Sequence, residues 1–203
     1  MDDQFYRPWK IAIISSSGGS PQLLAEPKTN NDEGDPTWSP DGDSIVFVKR
    51  DGMNRTTSAV YRLDLKTGKV SVIPGSDGLS SPRVSPNGIF IAALSTDATK
   101  LMLFDRSTNH WSILAESGHF GYNEWSRDGK YIYVRTNLGG AGELVRIRIR
   151  DRAAEPILSL RDFPQAGDIF AGWIGLTPND APLLMRDRSV QEIYALDLRL
   201  VKR

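Results

Sequence analysis

The residues best equipped for chemistry are few and widely spaced. The chain carries two histidines, His110 and His119, and no cysteine. Without thiols there is no disulfide framework, thiolate metal site, iron–sulfur cluster or cysteine nucleophile. One histidine falls on a stretch that reads as a strand and the other in a loop, so neither a zinc site nor a Ser-His-Asp arrangement is legible. No Gly-x-Ser-x-Gly elbow, Walker loop or His-Glu-x-x-His helix occurs. Carboxylates are more numerous. Asn30, Asn31, Asp32, Glu33 and Asp35 form a polar run without the spacing of a calcium-binding EF-hand, and read as a solvated connection. Asp41 and Asp128, with Asn87 between them, recur within one repeated phrase. Converging on a common axis they could hold Ca2+, but they are read here as turn residues. Arg146, Arg148, Arg150 and Arg152 alternate with Ile147 and Ile149, which on a strand puts the cations on one face and the isoleucines on the other. That pattern reads as a wet outer strand rather than an anion site. No catalytic activity and no cofactor is expected of this chain.

The elements that must position these residues emerge from the repeated phrase. Pro36-Thr37-Trp38-Ser39-Pro40-Asp41-Gly42 precedes the apolar run Ile45 to Val48. The phrase returns as Pro82 to Gly88, with Asn87-Gly88 before Ile89 to Ala92. It returns again as Asn123 to Gly129, with Trp125 and Asp128-Gly129 before Tyr131 to Val134. A worn copy is Ile174 to Asp180, before Leu183 to Met185. Asp-Gly and Asn-Gly suit two-residue hairpin turns, and the runs after them are β-branched and aromatic. A second apolar run follows each copy, as in Val60 to Leu65, and then a turn such as Lys66-Thr67-Gly68-Lys69 leads to a short last strand. No segment keeps a helical stripe. Each repeat therefore reads as a four-stranded antiparallel meander, and a period of about 40 to 50 residues is that of propeller blades. The expected fold is all-β: a β-propeller of tandem blades in a partial ring of about four. Residues 9–25 are expected to supply the outer strands of a partial blade. Full blades are expected at 36–78, 80–118 and 122–160, and an incomplete C-terminal blade at 171–200. The Trp is expected to fill the gap between blades, and the Asp-Gly pair to close the hairpin.

Composition narrows the partners. Lys+Arg and Asp+Glu are balanced at 25 each, which argues against nucleic acid as a partner. The longest apolar stretches, such as Phe90 to Leu94, fall far short of the roughly 20 residues that span a bilayer, so no membrane insertion is expected. The start, Met1-Asp2-Asp3-Gln4, is acidic and shows no signal peptide.

The Trp-Ser-Pro-Asp-Gly phrase at Trp38 to Gly42, followed by Tyr61-Arg62-Leu63-Asp64-Leu65-Lys66-Thr67-Gly68, resembles the TolB-like propeller family, also described as WD-repeat-like. The resemblance covers about residues 9 to 198. It implies a bacterial, periplasmic protein whose propeller binds protein partners, in that family a peptidoglycan-associated lipoprotein. The domain that family members carry before the propeller is not expected in this chain. The tail, Pro182 to Asp187 with Gln191 to Asp197, resembles the last blade of propellers in bacterial sensor proteins, where a winged-helix or kinase module precedes the blades.

Two function classes follow. One is a non-catalytic scaffold that binds or senses a protein or peptide. The other is an accessory propeller of a larger sensor, or of a prolyl-oligopeptidase-type hydrolase. Binding is expected on the face with the longer, more varied loops, which carries Arg50, Arg55, Arg135, Arg186 and Arg188. An open arc also leaves two apolar flanks, so self-association through them is expected.

Overall fold

The computed structural model describes residues 8–24, 31–51, 54–136, 142–163, 173–186 and 188, with backbone alone at 54–56. Every regular element among them is a strand. Three four-stranded sheets follow the chain in order: β3 (Asp32–Trp38), β4 (Ser44–Asp51), β5 (Asn54–Asp64) and β6 (Val70–Val72); β7 (Leu79–Val84), β8 (Phe90–Ser95), β9 (Lys100–Asp105) and β10 (His110–Glu116); β11 (Phe120–Trp125), β12 (Tyr131–Thr136), β13 (Glu143–Arg148) and β14 (Ala154–Ser159). All neighbours are antiparallel. Two-stranded pieces flank them, β1 (Ala12–Ile13) with β2 (Gln22–Leu23) before, and β15 (Ile174–Leu176) with β16 (Pro182–Leu184) after. These are successive blades of an open propeller.

The hairpin of each blade is locked by one serine hydroxyl. Ser85 Oγ donates to Asn87 Oδ1 at 2.7 Å and accepts the Phe90 N–H at 2.9 Å, while the same Oδ1 accepts the Ile89 N–H. Ser39 with Asp41 and Ser126 with Asp128 repeat this; in the worn copy Thr177 donates to Asn179 Oδ1 and accepts the Ala181 N–H, closing a loop one residue shorter. The turn differs from the expected two-residue form. Gly42 N–H bonds to the Ser39 carbonyl and Ser39 N–H to the Ser44 carbonyl, giving a longer loop. Only the glycine, at φ 76° for Gly42, is left-handed. Proline at the second position of the turn and a serine able to cap it favour that wider loop.

The inner strands are longer than the short ones the sequence suggests near Thr37 to Ser39 and at Glu124 to Ser126: β3 begins at Asp32 and β11 at Phe120. Pairing of Asp32 with Arg50 and of Phe120 with Thr136 extends each ladder past a bulge, at Gly34/Thr37 and Phe120/Asn123; β7 shares it at Ser80/Arg83. The acidic run is therefore partly strand, and Glu33 within it is buried, facing Lys10 at 3.8 Å. Of the outer strands expected within residues 9–25, the described residues form the short β1 and β2; ahead of β1 the Trp9 carbonyl accepts the Glu33 N–H. The strand expected at Gln191 to Leu198 lies outside the described residues.

Four apolar clusters fill the junctions. Val46, Val60, Ile91 and Ala93 lie between the first and second sheets, and Ala92, Leu94, Ile132 and Val134 between the second and third. Ile11 joins Ile45, Phe47 and Leu63, so β1 and β2 cover part of the first sheet's outer flank. Tyr133 and Leu144 meet Ile174 on the far side.

Two contacts mark the inner ends of these junctions, the first at both and the second at the junction of the second and third blades. The hairpin glycine of one blade rests on the hairpin proline of the blade before: a Cβ at Gly88 would stand 3.1 Å from Pro40 Cγ, and one at Gly129 3.6 Å from Pro86 Cδ. The blade tryptophan reaches back as well. Trp125, 5% exposed, gives its indole N–H to the Arg83 carbonyl at 2.9 Å and stacks on Phe90. Trp38 departs from expectation. It is 53% exposed, because no inner strand among the described residues stands on its side of the first sheet.

These contacts set expected costs. Trp125→Ala should destabilise the chain by about 3–5 kcal/mol, the usual range for deleting a buried aromatic. Ser85→Ala should cost about 1 kcal/mol, because the half-buried Phe90 N–H loses its acceptor. Urea unfolding of the full chain followed by circular dichroism measures both; a Trp125→Ala midpoint equal to wild type would contradict the junction geometry.

Candidate functional site

The positions just before each hairpin line the inside of the arc. β3 packs beside β7 and β7 beside β11, so equivalent residues of successive blades come together. Counting back from Trp38, Val84 and Trp125, one column holds Thr37, Arg83 and Glu124 and another holds Asp35, Ser81 and Tyr122. The bulge turns Asp35 and Ser81 to left-handed backbone, at φ 50° and 49°.

Their side chains form a mixed-charge row across three blades. Arg50 Nη2 contacts Asp35 Oδ2 at 3.1 Å, and Ser81 Oγ donates to the same oxygen at 3.4 Å. Arg83 lies 3.8 Å from Glu124 and donates to the Pro82 carbonyl. Burial pushes the Glu124 carboxyl above its ordinary value; Arg83 and the Trp125 N–H oppose the shift without cancelling it. Burial likewise raises the Tyr122 hydroxyl, and Asp35 adds to the rise while Arg83 and Arg50 oppose it. The two ion pairs and the tyrosine thus share one electrostatic neighbourhood.

Arg50 also borders an open cleft of about 340 Å³, with Lys49, Asp51, Ser58, Tyr61 and Asp77. Lys49 Nζ stands 5.2 Å from the Tyr61 ring centroid and 5.8 Å from that of Phe47, which holds its ammonium over an aromatic floor. A groove with paired charges, hydroxyls and an aromatic floor suits an extended peptide, whose backbone offers donors and acceptors and whose side chains supply either sign.

The other arginines named from sequence are placed differently. Arg135 is 2% exposed, so it is no loop residue; strand alternation puts it on the Tyr133 face of β12, and desolvation holds its guanidinium below the usual value. Arg186 and Arg188 are exposed beyond β16, and the side chain of Arg55 lies outside the described residues. Arg146 and Arg148 both pair with Glu155, and Arg148 also with Asp151 at 3.0 Å. Both guanidinium groups lie over the Tyr131 ring. A larger cavity of about 550 Å³ beside them, bordered by Lys130, Tyr131 and Arg150, has its cations matched too: Lys130 by Asp128 and Arg150 by Asp151.

The turn carboxylates are engaged in their own hairpins. The Ser39 hydroxyl, then the Asp43 N–H, hold Asp41 below the ordinary carboxylate value. The Lys130 N–H, then the Ser126 hydroxyl, do the same for Asp128. Among the described residues no group of three or more His, Cys, Asp or Glu side chains is placed to hold one metal ion. Sequence reasoning missed Asp35, Ser81, Arg83, Tyr122 and Glu124. The signal was present: these are the columns where the repeats disagree, next to columns where they agree.

No protein-family model matches the chain. The Tol-Pal system protein TolB of Francisella tularensis is 38% identical over 101 residues, which cover 47% of this chain and 22% of that protein. The match thus spans under a quarter of the relative's length. The crystal structure of TolB from Acinetobacter baumannii superposes with a TM-score of 0.65 at 19% identity, over 89% of this chain and 44% of that one. A prolyl endopeptidase structure superposes with a TM-score of 0.54 at 17% identity, over 71% of this chain and 25% of that one. The chain is a TolB-like β-propeller in fold, and its open arc of described blades fits a partial propeller.

Glu124 gives the site a pH signature. Its folded value lies above the ordinary 4.5, so the unfolded chain loses this proton first as pH rises. Its contribution to stability is therefore greatest below that value and falls as pH climbs through the raised folded value. Glu124→Gln keeps an acceptor for the Trp125 N–H and should flatten this component, seen as a smaller drop in urea midpoint between mildly acidic and neutral pH. An unchanged pH slope would show that Glu124 does not titrate as its burial implies.

Proposed function

We propose that the chain is a non-catalytic scaffold that binds an extended protein or peptide segment along the inner-strand row. The observation that supports this is the contrast between columns. The hairpin columns repeat one structural device, whereas the adjoining inner columns carry Asp35, Ser81, Tyr122, Arg83 and Glu124, a set with no repeated structural task. The segment would lie across Arg50, Asp35 and Ser81, then Tyr122, Arg83 and Glu124. The likeness to TolB supports a protein partner and a periplasmic setting.

A second reading, blades gating a hydrolase domain supplied elsewhere, is supported by the likeness to a prolyl endopeptidase. The two readings separate experimentally. Peptides selected from a displayed random library on the purified chain should bind wild type. Binding should be weaker by about tenfold or more to Arg83→Glu, the usual scale for an interface anchor, and unchanged for Arg150→Ala. It should also weaken with added salt. Equal binding to wild type and Arg83→Glu would remove the row from the interface. Turnover of proline-containing peptides by the purified chain would overturn the non-catalytic reading.

A further inference from the structure

The two ion pairs of the inner row are not alike. Arg50 Nη2 and Asp35 Oδ2 close a hydrogen bond at 3.1 Å, and Ser81 Oγ donates to the same carboxylate oxygen. Arg83 Nε and Glu124 Oε2 stand 3.8 Å apart. At that separation the charges attract without sharing a hydrogen bond. Each of these two side chains is tethered to backbone instead. Arg83 Nη1 donates to the Pro82 carbonyl at 2.8 Å, and Glu124 Oε1 accepts the Trp125 N–H at 3.2 Å.

Arg83 is therefore fixed at one corner with its best edge unspent. Nε and Nη2 form the side of the guanidinium that matches the two oxygens of a carboxylate, and among the described residues neither has a hydrogen-bond partner. Glu124 stands in front of that edge but is held back by the Trp125 N–H. Both side chains are partly exposed, 18% for Arg83 and 37% for Glu124, so a ligand reaches the pair without opening the junction.

We propose that this edge of Arg83 receives a carboxylate from the bound segment, so that the row selects acidic peptides, with Glu124 as the competitor that the segment displaces. The proposal rests on the reading of the row as a peptide site. A carboxylate on a mobile segment can close on both donors, as Glu124 does not. An ionised Glu124 then repels the newcomer, and a protonated one does not. Burial already pushes the Glu124 carboxyl above its ordinary value. Around it, β7 brings Arg83, and β12 brings Tyr133 directly opposite and Arg135 two residues on. Tyr122 lies on its own strand, and β8 and β15 carry no titratable side chain. Beyond Tyr122 lie Asp35 and Arg50, already paired. Of these groups only Glu124 and Asp35 are carboxylic acids, and Asp35 is engaged by Arg50 and Ser81. Acidic segments should thus bind more tightly as pH falls through the Glu124 value, while the peptide's own Asp, ordinarily about 3.9, stays ionised.

The test is selection on the purified chain from three displayed peptide libraries that differ in one central residue, fixed as Asp, Asn or Lys. Affinities of the selected peptides are then measured by fluorescence anisotropy. The Asp library should yield the tightest binders, and changing that Asp to Asn should weaken them by about tenfold, the scale of one charge-assisted hydrogen bond. Arg83→Gln should erase the difference between Asp and Asn peptides. Glu124→Gln should tighten Asp peptides several-fold at neutral pH and remove the pH dependence that wild type shows between mildly acidic and neutral solution. That is a gain of binding, which a misfolded variant does not give. Four outcomes would overturn the proposal. Binders that are sensitive to Arg83→Glu but come equally from all three libraries would keep the row as a peptide site and remove its acidic preference. An Asp preference that survives Arg83→Gln would put the carboxylate elsewhere. Asp peptides bound no more tightly by Glu124→Gln at neutral pH would remove the competitor. Binders from every library that ignore Arg83→Glu would remove the row itself.

Discussion

A four-stranded blade is apolar on both faces and cannot bury either one alone, and everything else in this structure answers to that constraint. β8 shows it most sharply. Ile91 and Ala93 face the first sheet, Ala92 and Leu94 the third, and none of the four is more than 5% exposed. Such a strand has no wet side, so its stability is decided at the junctions rather than within the sheet. The repeated phrase is the sequence form of that requirement. Its serine sets the hairpin, its glycine lets the hairpin approach the proline before it, and its tryptophan closes the inner end of the junction. Trp38 and Trp125 are the same residue in the same phrase, yet one is exposed and the other buried. The motif therefore describes a relation between two blades.

How far the sequence carries follows from the same point. The four-stranded antiparallel meander was legible because turn residues and β-branched runs act locally, and their period is long enough to count. The extra length of β3 and β11 was not, because it comes from pairing across a bulge that the run Asn31 to Asp35 does not advertise as strand. Glu33 looked like a solvated acid and is buried because of its place on the ladder, where the equivalent positions hold Leu79 and Phe120. Arg135 misled for a similar reason. It was taken for the start of a loop, yet its column holds Val48 and Leu94 in the other blades, and it is buried as they are.

The site was less legible than the fold because its residues are not a motif. Arg83 and Glu124 stand 3.8 Å apart but come from different blades, and what joins them is the close packing of inner strands. Comparing repeats within the chain supplies the missing logic. A column that stays constant maintains the blade, and one that varies while remaining polar and inward-facing has been released from that task. The row from Arg50 to Glu124 lies in the second kind of column. Rigid scaffolds with variable inward or loop positions carry binding in many repeat folds for this reason.

One variation shows that the junction itself is under physical constraint. Where the last hairpin replaces glycine with Asp180, at φ 61°, the proline of the blade before is replaced by Arg127. A side chain at the glycine position would crowd a proline at Gly88, where a Cβ would stand 3.1 Å from Pro40 Cγ, and would take on strained left-handed backbone at either glycine. Proline also has no N–H to offer a carboxylate. Arg127 removes the ring and supplies the donor that Asp180 accepts at 2.8 Å. Two changes that would each be costly alone are compatible together, because they exchange a steric fit for a charge-assisted hydrogen bond of the same reach. Junctions of different chemistry also discriminate between neighbours. A hairpin bearing glycine accepts proline, and one bearing aspartate accepts arginine, so the order of blades around the arc is written into the turns as well as into the chain.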